Sequence, residues 1–364
     1  MRNYNMDFIR GIAVLCLVYM NGYAFGLMDY SYIPLSTPPF SDTLIHAVST
    51  FFVDGRFRTL FSLLFGAGLY IQWQKVKSTA PLKARLHWLI IFGLVHGFLL
   101  WAGDILFLYG VSAWFALKYL QSNNQLLVKR AGEFLLIGCV ATGLVLFSAP
   151  DEVVYRDSAQ YIDLYSPHYS DYFLSNLGMN ILMLVAVPIM IMWLCVGLML
   201  IGIYLYKNEV FSKGLTKPHL IVCIAGAFIF SGMRLYASKF TGGAGFAIQE
   251  FINTFAALFM AVFYIHLIVK FCNNRAHVGQ LIQQAGRLAF TLYICQTLMQ
   301  LLLYKVLYPQ WVLSFNRIDY WIVATGLVSG QLLFTALYCR YYEQGPLEYV
   351  WRRLTQAKIA KINA

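Results

Sequence analysis

Apolar runs of about twenty residues recur along the whole 364-residue chain, separated by short polar stretches. A bilayer core about 30 Å thick takes roughly 20 apolar residues per crossing helix. The chain is 60% hydrophobic and only 12% charged, with a mean hydropathy of +0.63. A soluble domain could not hide that much apolar surface. The pattern predicts an all-α polytopic membrane protein: one transmembrane helical bundle over residues 1–364, made of about ten transmembrane helices plus a half-helix. Polar groups inside such spans are costly to keep there, so they form the shortlist for function.

The spans are expected at 8–28, 44–74, 86–101, 104–120, 131–149, 178–206, 219–237, 247–271, 288–307 and 319–340. The second is too long for one straight crossing. Val53-Asp54-Gly55 favours a turn and divides it into a half-helix near 42–53 and a spanning helix from about 56.

Lys and Arg orient the bundle, because cytoplasmic loops carry the excess of basic residues. With the N-terminus inside, twenty of the Lys and Arg residues fall on the inner side and seven on the outer. Ten crossings return the C-terminus to the cytoplasm, so both termini are expected there. The net charge of +11 is then a topology signal and gives no reason to expect nucleic acid. The longest polar segment, near 150–177, falls on the extracytoplasmic side with Asp151, Glu152, Asp157, Asp163, Asp171, His168 and several Tyr residues. Its aromatic content favours an ordered cap; a solvated connector is the plainer alternative. The tail near 344–364 reads as a cytoplasmic amphipathic piece anchored at the inner interface.

The seven cysteines lie in or beside apolar spans, with no C-x-x-C pair. They read as packing residues, so neither a disulfide framework nor a metal site is expected. No P-loop, dinucleotide fingerprint or G-x-S-x-G elbow lies in a suitable strand–turn–helix context. A self-contained ATPase, dehydrogenase or hydrolase is disfavoured.

Asp7 and Arg10 are three apart on the first span, close enough to pair at the inner surface. Asn21 follows Arg10 by eleven residues, about three turns and nearly the same face. A snorkelling Arg with a packing Asn fits equally well. Asp54, Arg56 and Arg58 open a helix on the outer side, where guanidinium forks suit carboxylate or phosphate; a structural ion pair competes with that reading. His96 lies about 16 Å beyond Arg85 at 1.5 Å per residue, deep in an apolar helix, and Asp104 opens the next helix after the turn containing Trp101 and Gly103. A neutral buried His can act as a general base oriented by a carboxylate, or simply pack. Arg287 sits at the inner surface, and Tyr293 and Gln296 fall at i and i+3, as a polar lining or as helix–helix glue.

Several strings in order, Asp7-x-x-Arg10-Gly11 with Asn21, Gly55-x-Phe57-Arg58-x-Leu60-Phe61-Ser62 leading to Phe65-Gly66-Ala67-Gly68, Phe92-Gly93-Leu94-x-His96-Gly97, Trp101-x-Gly103-Asp104-Ile105-Leu106, Gly286-Arg287-x-Ala289-x-Thr291-x-Tyr293-x-x-Gln296 and Gly345-Pro346-Leu347-Glu348 with Trp351-Arg352-Arg353, resemble the YeiB family of bacterial inner-membrane proteins, domain of unknown function 418. That family is distantly similar to the transmembrane acyltransferases, among them acyltransferase family 3 and heparan-α-glucosaminide N-acetyltransferase. The resemblance implies transfer of an acyl group from cytoplasmic acyl-CoA or acetyl-CoA to a sugar, glycan or other envelope acceptor outside, with localisation in the bacterial inner membrane. Acyltransferase family 3 carries Arg, ten residues, then His; here Arg10 fits but Asn21 holds the His position. The heparan enzyme is similar in having Asn there, yet its following His has no counterpart at 22–45.

The resulting expectation is an acyl-CoA-dependent O- or N-acyltransferase. His96 and Asp104 are its catalytic pair, Arg10, Asn21 and Arg287 hold the acyl-CoA, and Arg56, Arg58, Trp101, Tyr293 and Gln296 meet the acceptor. Membrane lipids and an envelope glycan or lipid-linked acceptor are the expected partners, with no nucleic acid and no metal; a homo-oligomer stays open. The competing expectation is a transporter or flippase-like carrier of a small amphiphile or lipid-linked precursor. A scaffold or lipid-binding subunit is a third.

Overall fold

The computed structural model describes residues 3–27, 32–148, 155–164 and 168–363. Among these the chain forms helices and turns, with no strand. The first half comprises α1 (Tyr4–Leu27), α2 (Phe40–Phe52), α3 (Arg56–Val76), α4 (Ala80–Leu99), α5 (Ile105–Ala116), α6 (Asn124–Phe147), α7 (Ala159–Leu164) and α8 (Tyr169–Ala186). Then follow α9 (Met192–Lys207), α10 (Val210–Lys213), α11 (Lys217–Ala237), α12 (Gly242–Cys272), α13 (Gln280–Arg287), α14 (Ala289–Leu301), α15 (Trp311–Ser314), α16 (Arg317–Tyr338) and α17 (Pro346–Asn363).

Among the described residues, eight helices are long and apolar enough to cross a membrane. Two further spans expected from the sequence correspond to α3 and to the short Ile105–Tyr119 helix. Both are sheltered inside the bundle: Leu60, Leu63 and Ala67 of α3 and Ala113 and Ala116 of α5 are fully buried. A helix that faces protein on most sides need not match the hydrocarbon, so α3 can carry Gln72, Gln74 and Lys75 at one end and Arg56 and Arg58 at the other. The break at Asp54-Gly55 is present as expected. Gly55 has φ 77°, a left-handed value that glycine adopts without steric cost.

The span expected at 178–206 differs most; α4 and α6 also begin six and seven residues before the expected 86 and 131. Helices α8 and α9 run together through a π turn at Val187–Ile191 into one 39-residue helix, Tyr169–Lys207, beginning nine residues before the expected 178. Pro188 lies in that π turn, where its missing N–H suits a locally widened helix. The early start has a tertiary cause. Tyr172, Asn176 and Asn180 lie four apart, so they share one face; all three are buried against the α4–α5 turn. Of the polar segment near 150–177, the described parts are residues 155–164, which include α7, and 168–177, which include the head of α8; Asp151 and Glu152 lie outside the described residues.

The interior is centred on the crossing of α3 and α9. A Cβ on Gly66 would overlap the Met199 carbonyl, and one on Gly202 would overlap the Leu63 carbonyl. Small residues at such a crossing let backbones approach and gain dispersion contacts, the chief attraction between helices in lipid. A second, aromatic cluster of Tyr23, Tyr32, Trp101, Tyr172, Tyr304 and Tyr320 fills another region. There Asp42 of α2 accepts from the Tyr32 hydroxyl (2.5 Å) and from the Arg317 backbone N–H (2.9 Å), tying α2 to the start of α16. Burial, then the bond to Asp42, raises the pKa of Tyr32 and keeps its phenol protonated.

Replacing Gly202 by Leu forces α3 and α9 apart. Thermal unfolding in detergent should show a loss at the upper end of, or beyond, the ~1–3 kcal/mol typical of overpacked cores, with Gly66→Leu giving a loss of similar size.

Candidate functional site

The site is assembled where α4 ends and α5 begins. Asp104 is the N-cap of α5: one carboxylate oxygen accepts from the Phe107 backbone N–H at 2.7 Å, filling a donor the helix leaves open. Gly93 of α4 lets the start of α5 come this close, since a Cβ there would overlap the Phe107 backbone and lie 2.7 Å from Asp104 Oδ2. The other carboxylate oxygen of Asp104 lies 2.9 Å from His96 Nδ1, with the two side chains 4% and 2% exposed. Nδ1 sits at contact distance yet off the axis of a well-aligned hydrogen bond, so the contact is electrostatic first and directional second. On the far side of the ring, Nε2 is 3.0 Å from the Thr297 hydroxyl. Tyr293 packs against the imidazole with ring centroids 5.2 Å apart; its hydroxyl reaches Asp104 Oδ1 at 3.4 Å and accepts from the Ile105 N–H at 3.3 Å.

The α4–α5 turn is held from outside by α8. Asn176 accepts from the Ala102 N–H at 2.6 Å and donates to the Gly97 carbonyl at 3.0 Å, and Asn180 donates to the same carbonyl at 2.6 Å. These two asparagines fix the turn that sets Asp104 beside His96. Sequence reasoning missed them because Asn176 lies in the stretch that reads as loop and Asn180 is a lone polar residue just inside the expected span at 178–206; their i, i+4 spacing was the available signal.

A cavity of about 300 Å³ ends at Tyr293 and Ile105. Its walls are apolar, with Leu17, Phe61, Phe65, Leu86, Leu89 and Phe290 among them, while Arg10, Arg85 and Arg287 stand at its mouth beside Glu348 and Trp351. A second space of about 470 Å³ shares those five residues and adds Glu343, Arg352 and Gln356, so it forms an outer vestibule. Arg10 is paired with Asp7 at 3.2 Å and reaches the Gly286 carbonyl at 3.5 Å, which joins the start of α1 to the end of α13 at this mouth.

The tail helix α17 completes the mouth. Glu348 accepts from the Phe290 N–H (2.7 Å), the Thr291 N–H (3.2 Å) and the Thr291 hydroxyl (2.5 Å). A carboxylate there caps the N-terminus of α14 and meets the positive end of its dipole. Trp351 donates to the Arg85 carbonyl at 3.0 Å and lies under the Arg85 guanidinium at 4.0 Å. The tail is therefore docked on the bundle through specific contacts, beyond the interfacial anchoring expected from its sequence.

The remaining sequence candidates sit elsewhere. Asn21 is half-buried on α1 and does not line the cavity. Arg56 is fully buried and bonded to the Phe51 and Asp54 carbonyls, the Asn253 side chain (2.6 Å) and Ser231 (2.8 Å), so its fork clamps the α2–α3 break onto α11 and α12. Arg58 faces Glu250 at 3.5 Å, and its carbonyl accepts from Tyr109, a cavity-lining residue. Trp101 packs on Phe25, ring centroids 4.4 Å apart, in the aromatic cluster. Gln296 donates to the Val14 carbonyl and to Gln331, both at 2.9 Å, linking α1, α14 and α16. The structure thus gathers His96, Asp104 and Tyr293 at one end of the cavity and Arg10 and Arg287 at the other. No group of three or more metal-ligating side chains occurs among the described residues.

Asp104→Ala removes the α5 cap and should lower stability by about 1 kcal/mol, whereas Asp104→Asn, an equally good cap, should cost little; thermal unfolding in detergent separates the two. Arg56→Lys cannot satisfy four acceptors with one ammonium and should lower stability by about 1–3 kcal/mol in the same assay.

Residues 205–358 match a family described as a protein of unknown function (DUF418). Over its length the chain is similar to the uncharacterized protein YeiB of Escherichia coli (strain K12), with 28% identity across 97% of this chain and 96% of that protein. It is also similar to the uncharacterized protein YxaH of Bacillus subtilis (strain 168), with 24% identity across 96% and 93%. An uncharacterized 39.9 kDa protein in the amylase 3′ region of Bacillus acidopullulyticus shares 25% identity across 96% of this chain and 92% of its own length.

Proposed function

Because the chain belongs to the YeiB (DUF418) family, whose description states no activity, we propose from the site itself that it is a transmembrane acyltransferase. In this reading it uses cytoplasmic acyl-CoA and acylates a sugar, glycan or other envelope acceptor on the opposite side. The observation that carries the reading is the cavity: apolar walls, a mouth bearing Arg10, Arg85 and Arg287, and an inner end at Tyr293, which packs on His96. An acyl-CoA has the matching polarity, phosphates at one end and an alkyl chain at the other. Arginine forks suit phosphate oxygens, and burying each methylene of an acyl chain contributes roughly 0.8 kcal/mol. The basic mouth faces the cytoplasm by the distribution of Lys and Arg, and the bacterial relatives support placement in the cytoplasmic membrane.

At the inner end of the cavity His96 has the arrangement of a general base. Asp104 favours the tautomer with the proton on Nδ1, leaving Nε2 to accept one. Tyr293 separates the ring from the cavity, and its hydroxyl contacts of 3.3 and 3.4 Å are long enough to yield to side-chain rotation. That rotation opens His96 to a thioester held in the cavity. The acceptor approaches from the opposite end, where the polar side chains of α14 continue.

A carrier of a lipid-linked precursor would use the same cavity but has no need of a buried His–Asp pair. The test uses purified protein with acetyl-CoA and longer acyl-CoAs, following thermal shift and release of free CoA. Ligand at 100 times its Kd stabilises the protein by about 2.7 kcal/mol. Arg10→Ala should weaken binding tenfold or more, while His96→Ala should keep binding and lose CoA release. Binding that survives with no CoA release in the wild type, with candidate acceptors supplied, would favour the carrier.

A further inference from the structure

Thr297 occupies the one position in the His96 cluster that a nucleophile needs. Its hydroxyl oxygen is 3.0 Å from His96 Nε2, and Asp104 lies 2.9 Å from Nδ1 on the opposite side of the ring. Carboxylate, imidazole and hydroxyl therefore follow one another in the order that activates an alcohol for attack on a carbonyl. The competing partner of this hydroxyl, the Tyr293 carbonyl, is 3.5 Å away, at the limit of a useful hydrogen bond.

The position along the helix matters as much as the contact. Tyr293, Thr297 and Gln300 recur at intervals of three or four, so they share one face of α14, which Tyr304 continues in the π turn Leu302–Leu307; each is at most 3% exposed. On one side of Thr297 this face begins at Tyr293, the inner end of the cavity. On the other side it leads to polar atoms with no hydrogen-bond partner among the described residues: Gln300 Oε1 and the hydroxyl of Tyr320. Those groups adjoin one another. A Cβ on Gly22 would be 3.7 Å from Gln300 Oε1 and 3.9 Å from Tyr320, and Tyr320 packs on Tyr23 and Tyr304. Buried polar atoms left unpaired call for a partner, and a polar acceptor with hydroxyl or amino groups supplies it.

We propose that Thr297 is the acyl-carrying nucleophile of this protein, taking the acyl group from acyl-CoA on the cavity side as an ester and releasing it to an alcohol or amine that arrives along the polar face beyond Gln300. The proposal rests on the acyltransferase reading above. In the first half, Thr297 Oγ attacks the thioester carbonyl and its proton passes to His96 Nε2. The C–S bond then breaks, and CoA leaves as the thiol with the proton from His96. In the second half, the acceptor attacks the threonyl ester and gives its proton to Nε2; the C–Oγ bond breaks, and Oγ recovers the proton. No oxidant, reductant or metal enters either half. A relay fixed at the boundary between cavity and polar face lets one acyl group change sides while CoA and acceptor never meet.

The experiment is intact-protein and peptide mass spectrometry of the full chain in detergent after rapid quench from acetyl-CoA or octanoyl-CoA without acceptor, with CoA release measured in parallel. The expected result is one added acyl group located on Thr297. It should be cleaved by alkaline but not neutral hydroxylamine, as an oxygen ester is, unlike a cysteine thioester. Thr297→Val should lose the adduct and at least a hundredfold of CoA release while retaining octanoyl-CoA binding; Thr297→Ser should keep both adduct and turnover. CoA release at the wild-type rate by Thr297→Val, or an adduct on His96 or a cysteine, overturns the relay and leaves the acyltransferase reading standing. Turnover that depends on Thr297 but forms no ester reduces it to a positioning residue and overturns the relay as well. Absence of CoA release from the wild type with every acyl-CoA and acceptor removes both.

Discussion

Asp104 divides its carboxylate between two tasks, and the geometry around the site depends on that division. Oδ2 caps α5 through Phe107, while Oδ1 faces His96 and Tyr293. A carboxylate in so dry a place is costly unless its oxygens are occupied, so the three partners are held as a set. Because one oxygen is pinned to the helix terminus, the other has little freedom, and the imidazole is oriented by the backbone of α5 as much as by its own rotamer. The two asparagines of α8 extend this rigidity outward by fixing the Gly97 carbonyl and the Ala102 N–H. A buried pair supported by surrounding hydrogen bonds keeps its geometry within narrow limits.

The second organising constraint is the lipid itself. Since hydrocarbon supplies no hydrogen bonds, polar side chains must be paired inside the bundle or gathered where something else can pair them. Arg56, with its four protein acceptors, shows the first solution, and Gln296 with Gln331 the same principle between α14 and α16. The basic mouth shows the second. Arg10, Arg85 and Arg287 crowd one opening with Asp7 and Glu348 near them, and Glu348 is committed to the N-terminus of α14. A mouth with that surplus of positive charge is suited to an anion.

Much of this was legible in the residues. Runs of apolar sequence located the helices, the Asp54-Gly55 break divided α2 from α3, and buried polar residues at helical spacing pointed to His96, Asp104 and Tyr293. What could not be read was partnership. Arg56 and Arg10 look alike as cations near a helix end, yet one is consumed by the protein and the other stands at a cavity. Thr297 was overlooked because a Thr in an apolar span ordinarily bonds its own backbone. Asn176 falls in the polar stretch before the expected span at 178–206 and Asn180 just inside it, and their shared contact with the Gly97 carbonyl is set by the packing of α8 on α4.

The sequence by itself determined the kind of protein and the axis of each helix, because lipid exposure imposes a one-dimensional rule: enough apolar residues in a row to cross the bilayer. Only the tertiary structure decided which polar groups share a space, since that depends on the rotation and crossing of helices far apart in the chain. Asp104 and Thr297 are separated by nearly two hundred residues and meet at opposite nitrogens of one imidazole. Close approach at Gly93 and the turn held by α8 bring Asp104 to one side of that ring, and the packing of α14 supplies the other. Those are contacts between surfaces, and no local pattern encodes them.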